Sequence, residues 1–185
     1  VPPLLDRLFP VAPLAYYLGI PVRIGDAPRI VGDGITYELT GTAGFEATVS
    51  RVLKQVFLLD CAVRTEGRYP VDLRARQALA DRLSLPFGEL FALDPIDRLG
   101  RYLAIGYESI ADLLPNWRVT AHVGTDPEWT EVLPYLADDL GAIHATDAAA
   151  VADGGVTTSD GWAGTSPPVG APTSRPSGIG WPEQG

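Results

Sequence analysis

Apolar positions fall into helical spacing most clearly over residues 45–67, FEATVSRVLKQVFLLDCAVRTEG. Phe45, Val49, Val52, Val56, Leu59 and Val63 recur at steps of four and three, which places them on one stripe of a helix. From Val56 to Val63 nearly every residue is apolar, so this half is expected to be covered on several sides. Arg64 suits the negative end of the helix dipole, and Gly67 is the expected stop. The rest of the chain reads as packed around this central buried helix.

Before it, two apolar runs at residues 4–8 and 11–18 are interrupted by Pro10 and Pro13. Proline lacks a backbone donor, so the pattern predicts a short helix, a break, and a second helix entered at Pro13 and closed by Gly19. The neighbours Tyr16 and Tyr17 cannot both face inward; one is expected to pack and the other to show its hydroxyl to water or a partner. The period then changes to two, with Val22 and Ile24, then Ile30 and Val31, then Ile35, Tyr37 and Leu39. Turn clusters at Gly25-Asp26 and Gly32-Asp33-Gly34 make this a small antiparallel meander of three strands. Gly32-Asp33-Gly34 joins strand to strand with no helix following, so it reads as a turn and not as a phosphate cradle.

Beyond the central helix, Asp72 is placed to cap a helix running to Leu83, with Leu73, Ala75, Ala78, Leu79 and Leu83 facing inward. Pro86 opens a short helix over residues 87–93, Asp94-Pro95 starts another toward Ile105, and residues 110–114 add a last turn. Alternation returns over residues 117–123. Asp126-Pro127 then introduces a helix carrying Trp129, Val132, Leu133, Leu136 and Leu140, lightly broken at Pro134, and residues 142–144 form a closing strand. Strand, helix and strand in that order suit a parallel crossover. The fold expected is α/β or α+β: a helix-rich single domain over residues 1–147, with the meander, the central helix and the later strand-helix-strand unit. From residue 148 to 185, Gly, Pro, Ser and Thr dominate without periodicity, which predicts a disordered tail.

Charge sharpens the picture. There are 23 acidic and 14 basic residues, and Lys54 is the single lysine. Residues 119–174 hold eight acids and no Lys or Arg. Nucleic acid is not an expected partner, because phosphate binding needs a basic patch. The acidic stretch reads as a solvated face, and scarce Lys with abundant Asp suits a salt-rich cytoplasm. No apolar run reaches the ~18 residues of a membrane span, and no leader is recognisable at the N-terminus, so a cytoplasmic protein without membrane contact is expected.

Candidate chemistry is sparse. Cys61 cannot form an internal disulfide and lies within the apolar half of the central helix, so it is expected to be a packed thiol and not a nucleophile served by His122 or His144. The spacing of Cys61, His122 and His144 matches no usual metal pairing, and neither a metal nor a cofactor is expected. His122 reads as a solvent-facing strand residue. Asp60 stands at the edge of the apolar stripe, one turn before Arg64, which predicts an i,i+4 ion pair. The alternative is a buried carboxylate that takes a ligand, in a pocket formed by Asp60, Arg64 and Tyr69 near the end of the helix.

Three stretches, FPVAPLAYYLG from Phe9, FEATVSRVLKQVFLLDCAVRTEGRYPVDL from Phe45 and NWRVTAHV from Asn116, together resemble the middle region of long proteins of halophilic archaea. Several of those continue into a CHAT-like, caspase-related domain. The resemblance spans about residues 1–147 and implies an accessory module. His-Gly-His and Ala-Cys motifs of a caspase-like site do not occur in this sequence, so it transfers no catalytic residue. The tail has the composition of an out-of-frame reading of GC-rich DNA, and with no Met in the chain a fragment or truncated frame is expected. The function expected is a non-catalytic interaction or scaffold module whose partners are other domains or proteins. The alternative is an enzyme fragment or small-ligand domain using the Asp60 pocket.

Overall fold

Helix α2 (Phe45–Arg64) buries twelve of its side chains, too many for a single stripe. Its second half is enclosed on several sides, as the apolar run from Val56 predicts. The computed structural model describes residues 1–67, 71–116, 119–139, 141–146 and 157–158. Around α2 pack α1 (Leu5–Leu18), α3 (Arg74–Leu83), α4 (Phe87–Ala92) and α5 (Pro95–Leu103). The main core joins Leu14, Val52, Leu59, Val63, Leu79, Leu99 and Ile110.

Helix α1 is continuous, whereas its two prolines predict a break. Pro10 and Pro13 lie inside it and are buried. Each removes a backbone hydrogen bond, at about 3 kcal/mol for an interior proline. Phe9, Val11 and Leu14 are each at most 3 % exposed, and burying such side chains contributes about 1.5–3 kcal/mol apiece. Packing therefore outweighs the local preference. Gly19 ends the helix in the left-handed region at φ 64°. Its N–H donates to the Tyr16 carbonyl and that of Ile20 to Ala15, both at 3.1 Å, forming a Schellman motif.

The meander has two strands and not three. Strands β1 (Arg29–Gly32) and β2 (Ile35–Glu38) pair antiparallel, with Ile30 opposite Tyr37. Residues 21–25 join no ladder, and the backbone of Val1 takes up two of their bonding groups. The Val1 nitrogen donates to the Arg23 carbonyl, and the Gly25 N–H donates to the Val1 carbonyl, each at 2.9 Å. Helix α3 starts one residue later than Asp72 would have it. Leu73 stands at the cap, its carbonyl accepting the N–H groups of Arg76 and Gln77. Asp94 does precede α5 with Pro95 at the first position.

A second, smaller core forms where β3 (Val119–Gly124) runs parallel to β4 (Ala142–Thr146). A 3-10 turn (Pro127–Glu131) and α6 (Leu133–Asp138) make the crossover between them, with Pro134 in the first turn of α6. Ala121, Val123 and Ile143 pack on Phe9 of α1. The molecule is thus a helix-rich α+β domain. Within the stretch read as a tail, Thr157–Thr158 form β5, antiparallel to β3; the rest of residues 147–185 lies outside the described residues.

Candidate functional site

Asp60 stands one turn before the end of α2, at the margin of the stripe between Val56 and Val63, and folding leaves it 5 % exposed. A carboxylate at that depth needs partners. Arg64 Nη2 lies 2.6 Å from Oδ2, in the i,i+4 pair that the spacing predicts. The Tyr17 hydroxyl donates to the same oxygen at 3.1 Å. On the other side, the Tyr102 hydroxyl donates to Oδ1 at 3.4 Å, and Arg98 Nε stands 3.6 Å from Oδ1.

Three helices place these groups. Tyr17 comes from the last turns of α1, where it packs at a tilt against Phe57 with ring centroids 5.6 Å apart. Its neighbour Tyr16 points outward and donates to Asp138 of α6 at 2.6 Å, so the two tyrosines divide as their adjacency requires. Arg98 and Tyr102 stand four residues apart on α5 and so share one face. Gln55 of α2 secures the end of that helix, its Nε2 donating to the carbonyls of Tyr102 at 2.7 Å and Ile105 at 2.9 Å.

Burial, then the nearby Asp60 charge, raises the pKa of both Tyr17 and Tyr102, so their phenols stay protonated. The Cys61 thiol is raised for the same two reasons in the same order. Cys61 is half-buried and not fully packed, because position 61 falls on the flank of the stripe where neighbouring helices cover it only in part. Its raised pKa disfavours the thiolate a nucleophile would need.

A chamber of about 200 Å³ opens beside Asp60. Tyr17, Arg64, Arg98 and Tyr102 provide its polar wall; Leu18, Ile20, Val56, Ile96 and Leu99 provide its apolar wall. One carboxylate thus faces two guanidiniums, a local positive excess in a chain of net charge -9. Of the residues expected at this pocket, Asp60 and Arg64 meet, while Tyr69 lies outside the described residues. Tyr17, Arg98 and Tyr102 were not legible as site residues. For Arg98 a signal existed: it is a charge four residues before the buried Tyr102, on the inner face of an amphipathic helix.

Other candidates are less convergent. His122 is exposed, as strand alternation predicts, and pairs in register with His144, their rings stacked at 5.4 Å. His144 Nδ1 lies 2.6 Å from Glu46 Oε2, and the Ala145 N–H donates to Glu46 Oε1 at 2.9 Å. Among the described residues no group of three or more His, Cys, Asp or Glu is arranged to hold a metal ion. A larger groove of about 480 Å³ lies between α1, residues 20–27 and β1. Among the described residues no helix is long and apolar enough to cross a membrane. Comparison with family models, with curated proteins and with solved structures finds no match to this chain, so the site is read from its own geometry.

Proposed function

We propose that the chain is a non-catalytic binding module and that the Asp60 chamber takes a small molecule. The observation that carries this reading is Arg98. Its side chain is 17 % exposed on the chamber wall, and its one ionic contact among the described residues is Asp60 at 3.6 Å, longer than a hydrogen bond. None of its nitrogens is both buried and without a partner, so its remaining N–H groups reach solvent at the chamber wall, where a ligand would take the place of water. Burial and the Asp60 charge keep the phenols of Tyr17 and Tyr102 protonated, so both stand as hydrogen-bond donors on the chamber wall.

The setting we infer is a salt-rich cytoplasm, on the strength of the acid-rich, Lys-poor composition. The test is a thermal-shift screen of small fragments against the wild type and against Ile20→Trp, a substitution at the exposed edge of the chamber that narrows it without touching the main core. Specific ligands raise the melting temperature of the wild type by mass action and leave the variant unmoved. A screen with no such ligand would count against the proposal.

A second reading, an interaction surface, is favoured by one observation. Val22, Ile24 and Val31 remain 43 %, 63 % and 64 % exposed around the larger groove, which Arg23 and Arg29 also line. An extended acidic segment with alternating apolar residues suits that lining. A labelled hexapeptide alternating Asp and Val should gain anisotropy with the wild type and not with Ile24→Glu; equal signals would remove this reading.

A further inference from the structure

We infer that the molecule taken by the Asp60 chamber is a small monocarboxylate with a branched or aromatic body, its head group on Arg98. This rests on the reading of the chamber as a binding site and adds the ligand's charge and size.

The charges decide the head group. Arg64 and Tyr17 already occupy one oxygen of Asp60, and Tyr102 and Arg98 face the other. A cationic ligand would meet two guanidiniums and a carboxylate already engaged on both sides. A neutral ligand would displace water from Arg98 without supplying a charged acceptor in its place. A single carboxylate offers the planar, two-oxygen face that a guanidinium fork accepts. Dianions fit less well, because Asp60 stands within the same wall and would repel the second charge.

Size decides the body. At about 200 Å³ the chamber falls below the roughly 300 Å³ at which drug-sized sites begin, so only a small molecule enters. Leu18, Ile20, Val56, Ile96 and Leu99 surround the remaining space, and a polar body would forfeit its water there without return. A free acid with a short branched or one-ring body meets both conditions.

The experiment is titration calorimetry of the full chain with isovalerate, benzoate and phenylacetate, each beside its amide and its amine. The acids should bind at least tenfold more tightly than the matching amides, and the amines should not bind. Arg98→Gln should lose about tenfold to a hundredfold in affinity for the acids, the scale of a hydrogen bond to a charged group, and with it the preference for acid over amide. Arg98→Lys should keep part of that preference. Amides binding as well as acids, amines binding better, or the preference surviving in Arg98→Gln would overturn the assignment while leaving the chamber a binding site. Failure of every head group to bind would remove both. If Arg98→Gln does not fold, the comparison of acid with amide on the wild type decides alone.

Discussion

The hydroxyl of Tyr17 donates to Asp60 across 43 positions of sequence, tying the end of α1 to the end of α2. Burial and the Asp60 charge raise the pKa of this phenol and of Tyr102 above the ordinary 10.0. The folded protein therefore holds these protons where the unfolded chain releases them. The linked stabilisation is complete below pH 10 and is lost as the pH rises above it. Urea melts between pH 8 and 11.5 should show this decline, and the double variant Tyr17→Phe, Tyr102→Phe should flatten it. An identical alkaline slope in the variant would argue against the linkage.

The two arginines on Asp60 differ in exposure, 67 % for Arg64 against 17 % for Arg98. Arg64→Ala should cost less than ~1 kcal/mol, as exposed pairs do. Asp60→Asn leaves Arg98 without its counter-charge and should cost about 3 kcal/mol. Chemical denaturation of both variants gives the ratio; similar losses would mean that Asp60 is effectively solvated.

Glycines offer a contrast in packing. A Cβ on Gly124 would stand 2.8 Å from the indole nitrogen of Trp129, a stiff ring, whereas one on Gly88 of α4 meets nothing within 4 Å. Gly124→Ala should destabilise by about 1–3 kcal/mol through overpacking. Gly88→Ala should stabilise by up to about 1 kcal/mol through helix propensity. The midpoints of their melts should move in opposite directions.

Salt tests the composition. Asp126, Glu128, Glu131, Asp138 and Asp139 are exposed on the crossover between β3 and β4. Screening their repulsion should raise the melting temperature as potassium chloride goes from low to molar concentration. A flat response would argue against a salt-rich origin.

Local pattern made some of this architecture legible and tertiary contact hid the rest. The stripe from Phe45 to Val63, the Asp94-Pro95 start and the parallel strands followed from periodicity and caps. The unbroken α1 did not, since the burial of Phe9 and Leu14 that overrides Pro10 and Pro13 depends on partners far along the chain. Val22 and Ile24 alternate like a strand, yet the backbone of Val1 takes up the bonding groups beside them. At the site, Asp60 and Arg64 share one helix and declare themselves by spacing. Tyr17, Arg98 and Tyr102 reach it from two other helices, and no window of sequence contains them together.

Phe9 of α1 is covered by Ala121, Val123 and Ile143, and Glu46 at the start of α2 binds the backbone of Ala145 in β4. During synthesis, at about 5–20 residues per second, roughly 6 to 25 seconds separate the appearance of α1 from that of β4. Until β3, α6 and β4 have emerged, Phe9 lacks the partners of its own cluster, and the loop that must close to bring them together is nearly as long as the domain. The main core around α2 can form in the meantime from the helices that follow it. Pulsed hydrogen exchange during refolding should accordingly protect the amides of α2 before those of β3 and β4. On this order of synthesis the β3–β4 sheet is expected to form late, and the nascent chain to be most open to aggregation before Phe9 gains its partners.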